Sequence, residues 1–232
     1  TKATITNEGY SLNGSKSFIS GGGFSDLYVV LCRTGDQTPN GISMVLVEDG
    51  QNGLSFGKKE QKMGWKAQPT AIVQFDNCSI PAANLVGEEG AGFKYAMEGL
   101  DGGRLNIAAA SLGGAQKSYE IAKAYSKERS AFGKPISRFQ SIEFKLADMA
   151  TQLESARLFL RNAAWKLDNS KPDASVSVAM AKRLVTDVSF EVSNTALQIL
   201  GGYGYLEEYG IEKIVRDLRV HQILEGTNEI MR

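Results

Sequence analysis

Near the end of this 232-residue sequence a carboxylate stands between an apolar pair and a Gly-Thr-Asn turn, in Gln222-Ile223-Leu224-Glu225-Gly226-Thr227-Asn228-Glu229. Ile223 and Leu224 bring little polar surface to Glu225, and desolvation raises a carboxylate's proton affinity towards that of a usable general base. Gly226 leaves the backbone open to close approach by a ligand. Taken alone, the eight residues read more simply as a solvated glutamate followed by a helix start at Thr227-Asn228-Glu229. The chain's one histidine, His221, precedes Glu225 by a turn. Local capping or pairing is the commoner role for such a residue.

Four other stretches carry residue types suited to chemistry. Phe18-Ile19-Ser20-Gly21-Gly22-Gly23 would set a backbone edge and a hydroxyl against a planar ring, although a flexible β-turn explains it as a bare motif. Asp101-Gly102-Gly103-Arg104 falls inside a helical pattern. Paired glycines there cost helix stability, and an arginine on the interior stripe needs an anionic partner. A ligand site and glycine-mediated helix packing with a structural ion pair are comparable readings. Glu128-Arg129-Ser130-Ala131-Phe132-Gly133-Lys134-Pro135, followed by Phe139-Gln140, offers an arginine fork for a phosphate diester or a plain helix connector. Gln198-Ile199-Leu200-Gly201-Gly202-Tyr203-Gly204-Tyr205 matches neither a dinucleotide fingerprint nor a P-loop, and helix capping accounts for its glycines.

The elements that must position these residues are legible from periodicity. Runs at 3–6, 27–32, 42–47 and 71–75 read as strands, with Asn7-Glu8-Gly9, Leu12-Asn13-Gly14 and Asp49-Gly50 as turns. A small antiparallel sheet follows over residues 1–86, and its first strand begins so abruptly that the natural chain is expected to start earlier. From 87 to 232 the spacing becomes helical. Phe93, Met97, Leu100, Arg104, Ile107, Ser111, Gly114, Ser118, Ile121 and Tyr125 form one stripe; Ile142 to Leu167 form a second; Met180, Leu184, Val188, Val192, Ala196 and Leu200 form a third. A shorter segment over Glu208–Leu224 completes an antiparallel four-helix bundle, giving an α+β chain of two domains.

Lys plus Arg and Asp plus Glu balance at 26 each, without a basic stripe, which argues against a nucleic-acid partner. Cys32 and Cys78 fall in predicted strands and suit free thiols in a reducing compartment. A single histidine disfavours a histidine-based metal centre. No apolar run reaches membrane-spanning length.

Taken in this order, Glu-Arg-x-x-Phe-Gly, Gln-Ile-Leu-Gly-Gly-x-Gly and Ile-Leu-Glu-Gly-Thr-Asn resemble the acyl-CoA dehydrogenase family, over essentially the whole chain. The resemblance implies that family's middle β domain and C-terminal helical bundle, with its N-terminal helical domain absent here. It further implies FAD as cofactor, an acyl-CoA thioester as substrate, electron transfer flavoprotein as electron acceptor and a homotetramer built as a dimer of dimers. Location would be the mitochondrial matrix in a eukaryote and the cytoplasm in a bacterium.

Carried over by position, Glu225 corresponds to the base that removes the substrate α-proton. Some members place that base immediately before the arginine of the long helix, where this chain has Gly103. Phe18, Ile19 and Ser20 correspond to the segment along the flavin ring, Phe18 standing where many members have tryptophan. Arg129, Phe139, Gln140 and Gln198, Ile199, Leu200, Gly201 and Gly202 correspond to contacts with the FAD pyrophosphate and adenosine across a subunit interface. Thr227, Asn228 and Glu229 correspond to FAD contacts beside the base, and Asp101, Gly102, Gly103 and Arg104 to the substrate side. Residues 54–60, 64–70 and 100–104 look most like the branch acting on isobutyryl-CoA in valine breakdown; the alternatives are a butyryl- or 2-methylbutyryl-CoA dehydrogenase, or a non-catalytic family member that binds acyl-CoA or flavin.

Overall fold

The computed structural model describes Thr1–Arg232, which divide into two compact units, Thr1–Gly99 and Leu100–Arg232. In the first unit six strands form one sheet: β1 (Lys2–Thr6), β2 (Gly9–Ser20), β3 (Leu27–Arg33), β4 (Ile42–Glu48), β5 (Leu54–Phe56) and β6 (Thr70–Pro81). Their order is β4-β3-β1-β2-β6-β5. The sheet is mixed, because β1 meets β3 in parallel at Lys2↔Arg33 while the other pairings are antiparallel. Alternation along the strands buries Leu12, Val30, Cys32, Val45, Val47, Val73, Phe75, Cys78 and Ile80 on one side.

Leu12-Asn13-Gly14, expected as a turn, instead lies inside β2. Its turn chemistry is spent on an irregularity: the register shifts between Leu12 and Gly14, Gly14 takes a φ of 127°, and Asn77 N–H donates to Asn13 Oδ1 at 2.9 Å. A second shift falls between Lys16 and Ile19. There Phe18 adopts φ 58° and turns its ring outward.

The remainder is helical: α1 (Gly92–Glu128), a two-residue hairpin β7 (Ser130–Ala131) and β8 (Lys134–Pro135), α2 (Gln140–Asp168), α3 (Ala174–Leu200) and α4 (Ile211–Arg219). The mixed sheet followed by four helices is the expected fold class. The core of the second unit uses small residues on α1 (Ala108, Ala115, Ala122) against Met149, Leu153 and Ala156 of α2 and Val185, Val192 and Ala196 of α3. At Gly114 an added Cβ would stand 3.0 Å from Leu218 Cδ2, so this glycine lets α4 pack close to α1.

Two helical expectations need correction. The α3 stripe does not stay on one face: Met180 and Leu184 are 51% and 41% exposed, whereas Val192 and Ala196 are fully buried. A spacing of four residues drifts by about 40° per step on a helix of 3.6 residues per turn, so the buried face is instead Val178, Ala181, Lys182, Val185, Ser189 and Val192. The fourth helix is shorter than Glu208–Leu224. Gly210, at φ 68°, separates a 3₁₀ turn over Glu207–Tyr209 from α4, and another 3₁₀ turn, Val220–Gln222, leads out of it. No helix is long and apolar enough to cross a membrane.

Candidate active site

Glu225 sits in a turn that the chain holds in an unfavourable backbone conformation. Its φ is 56°, in the left-handed region that costs a non-glycine residue about 1 kcal/mol or more, and Gly226 follows at 88°. The turn is entered from the 3₁₀ residues by Leu224 N–H to Val220 O at 2.9 Å and closed by Asn228 N–H to Gln222 O at 3.0 Å. Two cations grip its carbonyls. Lys182 Nζ donates to Gly226 O at 2.7 Å, and Arg104 Nε donates to Glu225 O at 3.4 Å.

The carboxylate points at α1. A Cβ built on Gly103 would lie 2.7 Å from Glu225 Oε2 and 3.3 Å from Cδ, so the acid occupies the space that any side chain at 103 would need. The two positions at which the resemblance places a base therefore converge on one point. The surroundings are less apolar than the Ile-Leu-Glu-Gly pattern predicted. Ile223 is half exposed, and Lys182 and Arg104 attend the turn, because segments distant in sequence supply the neighbours.

Arg104 is paired. Its Nη1 meets Asp101 Oδ1 at 3.0 Å, and Ser175 Oγ donates to the other oxygen of Asp101. The interior arginine is thus both a structural ion-pair partner and a donor to the turn. Gly102 has open space where a Cβ would project, whereas Gly103 is filled by Glu225. Behind the turn, His221 Nδ1 shares a buried hydrogen bond with Ser111 Oγ of α1. Burial pulls the imidazole down to about 4; Asp217 opposes the shift and Lys182 adds to it.

Asn228, expected beside a cofactor, spends its side chain inside the protein. Oδ1 accepts from Lys182 Nζ at 2.9 Å, and Nδ2 donates to Thr186 Oγ1 at 2.9 Å and Asp187 Oδ1 at 2.7 Å. Gln222 Nε2 adds a bond to the same Asp187 oxygen at 2.7 Å. With the Asn228 N–H given to Gln222 O, only the Asn228 carbonyl remains for a ligand. Thr227 Oγ1 accepts from Ile230 N–H, and Glu229 is exposed. Lys182, Thr186 and Asp187 were not found from sequence. The available signal was helical phase: Lys182 lies on the face of α3 between Val178 and Val185, where a lysine must have partners.

The other expected site residues fall into separate neighbourhoods. In the sheet unit, Phe18 is 78% exposed at the β2 irregularity, with Ile19 half-buried and Ser20 exposed at the strand's end. Ile19 and Ser20 line a cavity of about 340 Å³ together with Lys16, Tyr28, Val30 and Phe75. The glycines beyond form a tight turn anchored on Tyr28, whose hydroxyl donates to Gly21 O and accepts from Gly23 N–H.

In the helical unit, Arg129 immediately follows α1 and lies over the Tyr203 ring at 5.6 Å. Arg129, Ile199, Leu200, Gly201, Gly202 and Tyr203 border a cavity of about 470 Å³. Ile199 and Leu200 bury their side chains in the bundle, while Gln198, Gly201 and Gly202 are exposed. Gly201 caps α3 with φ 61° and ψ −137°, a conformation open essentially to glycine alone. Phe132 and Gly133, at φ 50° and 81°, make the hairpin tip, and Lys134 Nζ sits 4.4 Å above the Phe139 ring at the start of α2. Gln140 is exposed. Neither cavity is lined by Glu225.

Residues 1–78 match the acyl-CoA dehydrogenase middle domain and residues 90–232 the acyl-CoA dehydrogenase C-terminal domain. The chain is 54% identical to mitochondrial isobutyryl-CoA dehydrogenase of Bos taurus over 232 residues, 100% of this chain and 56% of that protein. It therefore spans little more than half the length of that relative. Among solved structures, butyryl-CoA dehydrogenase from Megasphaera elsdenii superposes with a TM-score of 0.95 at 48% identity, over 100% of this chain and 61% of that one. A chain in a structure described as the electron transferring flavoprotein of Acidaminococcus fermentans, reported towards a mechanism of flavin-based electron bifurcation, gives a TM-score of 0.96 at 47% identity, with the same coverage.

Proposed function

Since this chain belongs to the acyl-CoA dehydrogenase family, we propose that the protein containing it dehydrogenates a short branched acyl-CoA thioester between its α and β carbons, isobutyryl-CoA to methacrylyl-CoA. Glu225 is the base. The observation that carries this is its carboxylate, lodged in the space above Gly103, in a turn of left-handed backbone. Such preorganisation is what removal of a weakly acidic α-proton requires. The Glu225 N–H, which donates to no group within the chain, is available to polarise the thioester carbonyl as that proton leaves.

The residues present fit FAD. Arg129 supplies a guanidinium beside the exposed Gly201-Gly202 backbone at the 470 Å³ cavity, suited to a pyrophosphate, and Ser20 presents an unburied hydroxyl at the end of β2. Thr227 and the Asn228 carbonyl are further candidate contacts, as are Phe139, Gln140 and Gln198. When bound, FAD supplies a two-electron acceptor for the β-hydride. Electron transfer flavoprotein is the proposed onward partner, in the mitochondrial matrix or the bacterial cytoplasm. Likeness to the Acidaminococcus and Bos taurus proteins supports these assignments.

Anaerobic titration of the flavin-loaded full-length protein with isobutyryl-, butyryl- and 2-methylbutyryl-CoA tests the reading. Isobutyryl-CoA should bleach the flavin fastest. Faster bleaching by butyryl-CoA would place the protein with the Megasphaera elsdenii enzyme's chemistry instead. Glu225→Gln should bind acyl-CoA with little loss yet reduce the flavin at least about 1,000-fold more slowly, because the amide is nearly isosteric but cannot accept the proton. Normal bleaching would remove Glu225 from the role.

A further inference from the structure

Lys182 is a fully buried lysine in the middle of α3, and nothing in the proposed chemistry requires it. Taking a lysine out of water is costly unless its ammonium is fully engaged, so its partners identify what it is for. They are Gly226 O at 2.7 Å and Asn228 Oδ1 at 2.9 Å, one on each side of Thr227 in the turn that carries Glu225. Asn228 is in turn fixed by Thr186 and Asp187 of the same helix. The lysine thus ties a helix to the carbonyl of Gly226, the residue that follows Glu225.

From this geometry we infer that Lys182 is a positioning residue for the acyl-CoA reaction: its bond to Gly226 O holds Glu225 in the left-handed conformation that aims the carboxylate at Gly103. The inference rests on Glu225 being the base. Distances decide which cation dominates. Lys182 contacts Gly226 O at 2.7 Å, inside the range of a strong charge-assisted bond, whereas Arg104 reaches Glu225 O only at 3.4 Å and is also held by Asp101. The left-handed conformation persists only where the surroundings impose it. Without the ammonium, Gly226 O loses its only strong donor, the Glu225–Gly226 segment relaxes towards negative φ, and the carboxylate leaves the space above Gly103. Burial lowers the proton affinity of Lys182, and Arg104 adds to that, while the carboxylates of Asp187, Glu225 and Glu229 oppose the shift.

The test uses the full-length, flavin-loaded protein and four variants: Lys182→Met and Lys182→Gln, which remove the ammonium, Lys182→Arg, which keeps a buried cation with donors, and Lys213→Met, which removes an exposed lysine of α4. Rapid mixing with isobutyryl-CoA separates the limiting rate of flavin reduction from substrate affinity. The expected result is a fall in limiting rate of about tenfold or more in the ammonium-free variants, with a change in affinity below about threefold, partial recovery in Lys182→Arg and no change in Lys213→Met. An unaltered limiting rate in a folded ammonium-free variant overturns the inference. Failure of both ammonium-free variants to yield flavin-loaded protein, with Lys182→Arg yielding it, also overturns it, because Lys182 would then serve folding alone. Glu225→Gln is run alongside: if it reduces normally the base assignment fails, and if it is inactive while Lys182→Met is normal only the positioning role fails.

Discussion

Gly103 and Glu225 are distant in sequence, yet an atom added to the first would touch the carboxylate of the second. Gly103→Ala should therefore displace the Glu225 side chain and slow flavin reduction by about tenfold, whereas Gly102→Ala, facing open space, should stabilise α1 by roughly 0.5–1 kcal/mol through helix propensity. Thermal unfolding and rapid-mixing kinetics of the pair separate the two effects. His221 offers a second residue-scale prediction. Its imidazole is held neutral by burial, with an affinity lowered from 6.5 to about 4, so the unfolded chain binds its proton more readily than the folded one. The resulting stability is fully present above pH 6.5 and is lost as pH falls towards 4, by up to about 3 kcal/mol at 1.36 kcal/mol per unit. Urea midpoints between pH 7 and pH 4 should fall less steeply in His221→Gln. Equal slopes in variant and parent would show that another group titrates.

At the scale of elements, the irregularity in β2 and the phase of α3 decide what each presents. Phe18 carries a left-handed backbone and an exposed ring, so Phe18→Gly relieves strain while giving up little burial. It should leave stability unchanged or raise it by up to about 1 kcal/mol, and lower flavin retention if the ring covers the cofactor. On α3 the same reasoning distinguishes two aliphatics. Val192→Ala should cost about 2 kcal/mol in the 232-residue chain, and Leu184→Ala less than about 0.5, because only the first is enclosed. Urea denaturation of both variants checks the ordering. The reverse order would mean that Leu184 is the side chain the fold encloses.

Across the whole molecule, large apolar side chains remain at the surface of the helical unit, among them Phe144, Leu158, Trp165, Val176 and Tyr205, and Phe132 is 95% exposed at a hairpin tip. Exposed apolar side chains of this size are commonly covered in an assembly. For the full-length, flavin-loaded protein, light scattering should give four subunits, and Arg129→Ala should weaken FAD retention together with that assembly. A monomer that keeps FAD would refute the tetramer.

What the sequence determined by itself was local and periodic. Alternation marked β1, β3, β4 and part of β6, and helical spacing marked α1 and α2. Each is a property of neighbouring residues. Leu12-Asn13-Gly14 misled because a glycine suited to a turn equally suits a strand irregularity, and only the pairing with β6 decides between them. The α3 stripe misled because a fourfold spacing rotates around the helix, and which part of that spiral is enclosed depends on where α1, α2 and α4 lie. Tertiary structure alone assigned Asn228 to the interior, set Glu225 above Gly103 and brought Lys182 to the Gly226 carbonyl. These are hydrogen-bonding decisions between residues far apart in the chain, made because a buried amide, cation or carbonyl must find a partner wherever the fold supplies one.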